Sequence, residues 1–161
     1  MASAHDRVFY KTSEFLAIVF YLGAWLLQRH FPLTFFDDEN KQLENILVVA
    51  GLGLLAAGGL LVLSVKTELN KYSQSSQPGK PTTRLIQTGP FGFSRNPTYL
   101  AFVGLLFPGS ALWWGTPWML VLSPISGLVF YRVLIRDEEI YLKMQFGAEW
   151  DTYRRRTRRW L

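Results

Sequence analysis

TGPFGFSRNPTY, residues 88–99, joins a polar stretch of the chain to a long apolar one. Gly89-Pro90 is a turn signal, and Asn96-Pro97 is a helix-start signal. Asn is a strong N-cap, and proline is favoured at the first helical position because its missing N–H would have no partner there. The stretch therefore predicts a rigid lead into a helix that is apolar from Tyr99 onward. The N-terminus of that helix, with its unpaired N–H groups and partial positive charge, is expected at the edge of a membrane. Arg95 lies beside it, and the two together form a seat for a carboxylate or phosphate; an ordinary capped helix preceded by an Arg has the same appearance.

Downstream, residues 99–114 and 118–134 are two apolar segments joined only by Gly115-Thr116-Pro117, which makes them antiparallel neighbours. Trp113, Trp114 and Trp118 gather at the bend, as aromatic residues do at a bilayer interface. Pro108 and Pro124 fall inside the two helices and predict kinks, which serve packing or open a cavity. Upstream, residues 46–65 form an uninterrupted apolar run whose Gly51, Gly53, Gly58 and Gly59 offer flat surfaces to another helix. Residues 66–84 read as a polar loop, too long for a tight connection. Residues 15–27 are apolar and extend to a first span if Arg29 snorkels to the interface. The expectation is an all-α integral membrane bundle: one domain, 1–161, with spans at about 14–34, 46–65, 98–114 and 117–135 and a C-terminal helix at 136–160.

Composition agrees with this layout. Aromatic residues make up 16% and charged residues 18%, and the mean hydropathy of +0.11 is modest because charge is confined to the ends and one central loop. There is no cysteine, which excludes disulfides, thiolate catalysis and Cys-ligated metal, and only His5 and His30 are available for a histidine site. The first eleven residues lack the basic start and cleavage site of a secretory signal, so the first apolar block is expected to be retained. With four spans, fifteen of the seventeen Lys and Arg residues fall on one side, which places both termini and the central loop in the cytoplasm of a bacterial inner membrane or endoplasmic reticulum. The net charge of +5 is thereby explained as a topology signal, with no nucleic acid invoked.

The last segment, RDEEIYLKMQFGAEWDTYRRRTRRWL (136–161), reads first as a helix laced with surface ion pairs, Glu139–Lys143 and Asp151–Arg155, whose arginines touch lipid headgroups. That reading leaves unexplained why three acids, Asp137 to Glu139, sit at the mouth of a span on the basic side, facing the same interface as Arg95. Taken together, T-G-P-F-x-x-S-R-N-P-x-Y, an apolar hairpin, E-E-x-x-L-x-x-x-F-G-x-E-W-x-x-Y and a closing R-R-W-L resemble the isoprenylcysteine carboxyl methyltransferase and phospholipid methyltransferase superfamily of integral membrane enzymes. The resemblance covers residues 81–161, and its strength lies in the two motifs at this separation.

The resemblance implies S-adenosylmethionine as cofactor, enclosed between the last membrane helices and the C-terminal helix. It implies Arg95 and Glu139 as catalytic residues and Leu85, Gly89, Pro90, Asn96, Pro97, Tyr99, Glu138, Tyr153 and Arg159 as cofactor contacts. Two departures stand out: Asn96 replaces the commoner His, removing a titratable group, and Ala101 stands where Gly is usual. The cofactor carboxylate suits Arg95 and the helix start, and its ammonium and sulfonium suit Glu138 or Glu139. Methyl transfer is an in-line displacement that asks for alignment, desolvation and exclusion of water rather than a metal. The implied partners are membrane lipids and a lipophilic acceptor, either an isoprenylcysteine-type carboxylate or a phospholipid amine. Two other readings share the outline: an NADPH-dependent membrane reductase of the sterol reductase type, and a non-enzymatic adaptor whose basic C-terminal helix binds lipid.

Overall fold

Thr12 turns its hydroxyl onto the Phe15 N–H and starts helix α1, Ser13–His30, in the computed structural model, which describes residues 12–36, 40–74 and 82–161. The helix stops at His30, short of the predicted 34, because Phe31 precedes Pro32 and a residue before proline is pushed out of the helical region. Asn40 caps α2, Lys41–Lys71, by accepting from the Leu43 N–H. This helix overruns the expected 46–65 at both ends. Its 31 residues reach about 46 Å against a hydrocarbon layer of about 30 Å. No Gly or Pro interrupts 66–71, so the polar connection begins only at Tyr72, where Ser73 takes a left-handed φ of 53°. The Gln/Ser-rich centre of that connection, 75–81, lies outside the described residues, as do residues 1–11 and the acidic loop at 37–39.

The Gly89-Pro90 signal becomes a single tight helical turn, Gly89–Gly92. Helix α3 then runs through Pro97–Ala101, a π turn at Phe102–Leu106, and Phe107–Trp114. Pro97 takes the first position as expected, and Asn96 holds the cap position. The Asn96 side chain does not cap: its Nδ2 donates to the Arg159 carbonyl instead (3.2 Å). Helix α4 runs unbroken from Trp118 to Phe146 with its own π turn at Tyr131–Ile135. The predicted C-terminal helix at 136–160 is therefore two pieces and a tail. Residues 136–146 continue α4, Gly147 with φ +49° breaks it, Ala148–Arg156 form α5, and 157–161 run back along Ser94. The described residues contain no strand, only an isolated Ser94–Arg158 bridge.

α2 and α4 are long and apolar enough to cross a membrane. α2 packs along α3 at backbone distance: a Cβ on Gly51 would lie 2.6 Å from the Trp113 nitrogen, and one on Gly58 would meet Leu106. The packing role of those two glycines is thereby accounted for, whereas Gly53 and Gly59 face open space. α1 packs on α4 around Phe107, Phe130 and Ile135, with Phe20 and Tyr99 against the Phe130 ring. Where the missing N–H of Pro108 follows the π turn of α3, Ser123 supplies a donor to the Val103 carbonyl; Ser110 donates back to the Leu106 carbonyl one turn before it. Outward, α1 shows Ile18, Leu22 and Trp25, α2 shows Ile46, Val49 and Leu60, and α4 shows Val121, Ile125 and Leu128. So much exposed apolar surface is stable only against an apolar medium.

Candidate active site

The loop before α3, the C-terminal part of α4 and the returning tail meet at Glu139. Arg95 reaches its Oε1 from the loop (3.2 Å), and Arg159 reaches Oε1 and Oε2 from the tail through Nε and Nη2 (3.0 and 2.7 Å). This replaces the expected surface pair with Lys143: Glu139 faces inward, and its partners come from distant parts of the chain. Backbone bonds set the convergence. The Arg95 N–H donates to the Arg158 carbonyl (2.9 Å), and the Arg159 carbonyl accepts from both Ser94 Oγ and Asn96 Nδ2. Ser94 and Asn96 are buried, so these donors need partners inside the protein, and the tail supplies them.

The two guanidiniums differ in setting. Arg95 has a side chain only 7% exposed; it lies over the Trp150 ring and donates to the Arg154 carbonyl, and its burial pulls its pKa below the usual arginine value. Its Nε is buried and has no hydrogen-bond partner among the described residues. Arg159 is 36% exposed and lies over Tyr131, and its hydrogen bonds to Glu139 raise its pKa. Tyr99, one turn into α3, donates to Glu138 Oε2 (3.1 Å), so the paired glutamates are both engaged from the 88–99 stretch.

The other predicted contacts spread around this cluster. Gly89 and Pro90 form the turn that leads to Arg95, and Pro97 is buried at the start of α3. Tyr153 is buried, its hydroxyl donates to the Phe91 carbonyl (2.7 Å), and burial pushes its pKa up to about 12. Leu85 packs with Trp150 and Tyr153 in a small separate core, which borders the ion cluster where Trp150 lies under Arg95. Beside the cluster a cavity of about 550 Å³ opens between α3 and α4, walled by Leu100, Val103 and Gly104 on one side and Pro124, Gly127 and Leu128 on the other. Tyr131, Arg159 and Trp160 line the part next to Glu139. Pro124 thus lies at the cavity, whereas Pro108 does not line it.

One contributor went unnoticed in the sequence. Glu68, on the overrun of α2, is buried and accepts from Thr88 Oγ1 and Lys71 Nζ. The only available signal was an acid in a segment free of helix breakers, which would have argued for extending α2 past Val65.

A basic loop, paired glutamates and a helical hairpin closed by the returning tail define a helical protein with a charged site beside an apolar cavity. The profile of the phospholipid methyltransferase family matches residues 46–149, well over half of the chain, and the chain belongs to that family. It is also 38% identical over 79 residues to the Protein-S-isoprenylcysteine O-methyltransferase of Saccharomyces cerevisiae, covering 44% of this chain and 29% of the yeast protein. No solved structure matches the chain.

Proposed function

We propose that the chain is an S-adenosylmethionine-dependent integral membrane methyltransferase acting on a lipophilic acceptor. The observation that carries this reading is the convergence of Arg95, Glu139 and Arg159 from three parts of the chain beside an apolar cavity. The residues fit the cofactor: the buried Arg95 Nε, without a hydrogen-bond partner among the described residues, is a donor in want of an anion, and Glu138 and Glu139 are acceptors for an ammonium. When bound, S-adenosylmethionine supplies an electrophilic methyl group on a cationic sulfur. Arg95 would hold the carboxylate of the cofactor's amino-acid end and Glu139 or Glu138 the ammonium and sulfonium, while Gly89, Pro90, Asn96, Pro97, Tyr99, Tyr153 and Arg159 would frame them, with Leu85 supporting the frame through Trp150 and Tyr153. The work of the chain is alignment and exclusion of water.

The acceptor occupies the cavity between α3 and α4, its tail among the apolar walls and its head beside the ion cluster. The family name speaks of phospholipids, and the yeast relative's name of isoprenylcysteine. Either head meets this requirement, and family membership favours neither the reductase nor the adaptor reading. In this reading four helices cross the membrane, with both termini and the central loop cytoplasmic, an arrangement supported by the fifteen of seventeen basic residues it puts on one side. The test is methyl transfer from labelled S-adenosylmethionine to fractionated lipid extracts, then to one headgroup carried on graded tails. Each buried methylene contributes about 0.8 kcal/mol, so KM is expected to fall as the tail lengthens while kcat holds steady. A tail-less acceptor methylated as efficiently as a long-tailed one rejects the cavity as the acceptor site.

A further inference from the structure

The overrun of α2 past the apolar layer brings one acid to the turn that leads to Arg95. Glu68 is 5% exposed, and its carboxylate accepts from Thr88 Oγ1 and from Lys71 Nζ (2.7 Å). Tyr72, one residue past the helix, reaches the same Thr88 hydroxyl (3.2 Å). Gly89 follows with φ +57°, and a Cβ there would lie 3.0 Å from the Glu68 carboxylate, so the turn backbone is seated directly on it. Within the turn the Phe91 N–H donates to the Thr88 carbonyl, and the Ser94 N–H donates to the Pro90 carbonyl. From the opposite side Tyr153 of α5 holds the Phe91 carbonyl. The Gly89–Gly92 turn is therefore gripped between α2 and α5, and the α2 side of the grip is a buried carboxylate.

We propose that Glu68 is a positioning residue for the methyl-donor site: the overrun of α2 presets the Gly89–Gly92 turn, so that donor affinity depends on a carboxylate at position 68. The inference rests on the methyltransferase reading above. Glu68 acts through Thr88 and Gly89: its carboxylate bonds to Thr88 and Lys71, and the Gly89 backbone sits against it. A residue that only anchored the fold would lower stability without a selective loss of donor binding. A positioning residue also couples to Thr88: once either partner is gone, the other has nothing left to contribute.

The experiment uses the full chain in detergent with Glu68→Gln, Thr88→Val and the double variant. S-adenosylhomocysteine is the binding probe, read alongside amide hydrogen exchange and donor kinetics. Each single variant is expected to weaken the probe about tenfold, the size of one lost charge-assisted hydrogen bond, and the double variant to be no weaker than either. Exchange at the Phe91 and Ser94 amides is expected to quicken, and KM for the donor to rise by a larger factor than kcat falls. Unchanged probe affinity in Glu68→Gln overturns the proposal, as do single effects that multiply in the double variant. A wild type that binds no probe, while Glu68→Gln still loosens those two amides, rejects the methyl-donor reading and with it the role of Glu68, leaving only the grip.

Discussion

Replacing Glu139 by Gln keeps the side-chain shape and removes the one carboxylate between two guanidiniums. The two arginines lose different amounts. Arg159 is 36% exposed, so water screens its pairing and the loss there is about 1 kcal/mol at most. Arg95 is 7% exposed and is left as a buried cation without its counter-charge, a situation that costs about 3–5 kcal/mol. The Gln oxygen still accepts one hydrogen bond, which sets the expected total near the low end, about 3 kcal/mol. For a chain of this length 1 kcal/mol moves Tm by about 2–4 °C, so a drop of about 6–12 °C is expected. The assay is thermal unfolding in a single detergent at one scan rate, since unfolding of such proteins is often irreversible and scan-rate dependent. Adding Arg95→Met to Glu139→Gln removes the stranded cation and is expected to recover at least half of the drop. A Glu139→Gln variant within about 2 °C of wild type, or a double variant no more stable than the single, refutes the reasoning.

Arg95→Lys keeps the charge but loses the planar two-pronged donor, so binding of S-adenosylhomocysteine by calorimetry is expected to weaken about tenfold or more; unchanged affinity rejects Arg95 as a bidentate ligand. Tyr153 has its folded-state pKa raised by burial from 10.0 to about 12, so its contribution to stability is full below pH 10 and is lost as pH climbs through about 12. Tyr153→Phe is expected to lower Tm at neutral pH, through the missing bond to the Phe91 carbonyl, and to fall less steeply than wild type between pH 10 and about 12. At Gly127 a Cβ would already lie 3.3 Å from Val103, so Gly127→Leu is expected to fill the cavity and raise KM for long-tailed acceptors while sparing donor affinity. Single cysteines at Ser75, Asp38 and Thr116 of this cysteine-free chain, labelled in sealed vesicles, are expected to place Ser75 on the face opposite the other two; Ser75 on the side of Asp38 rejects four crossings.

The helical segments and their pairing were legible because apolar runs, Asn96-Pro97 and the three-residue bend are local signals. Arg95 and the paired glutamates were legible through motifs on either side of one hairpin. What the sequence hid was set by backbone bonds with no side-chain signature. The return of residues 157–161 to Ser94 and Asn96 rests on the Arg158 and Arg159 carbonyls, which every residue possesses. That the charged segment continues from the fourth span was legible from its helical spacing, whereas its break at Gly147 and the end of helix at Arg156 were not. The cap expected of Asn96 failed for a related reason: a buried amide takes the partner that needs satisfying, and here that partner is a carbonyl from the tail. Glu68 was passed over because the apolar run ends at Val65 while the helix does not.

The unbroken course of α4 makes it a lever. Pro124 lies at the level of the cavity, and Glu139 lies fifteen residues farther along the same helix, about 22 Å away at 1.5 Å per residue. A change in tilt of about 5° about Pro124 swings Glu139 sideways by about 2 Å, and helices tilt readily to match the thickness of their bilayer. At Glu139 that arc is the difference between gripping and releasing Arg95, which sits 3.2 Å from it. In a membrane, bilayer thickness acting at that fulcrum would bear on the alignment of Glu139 with its two arginines, and rates taken in thin and thick bilayers would be measurements at two positions of one arm.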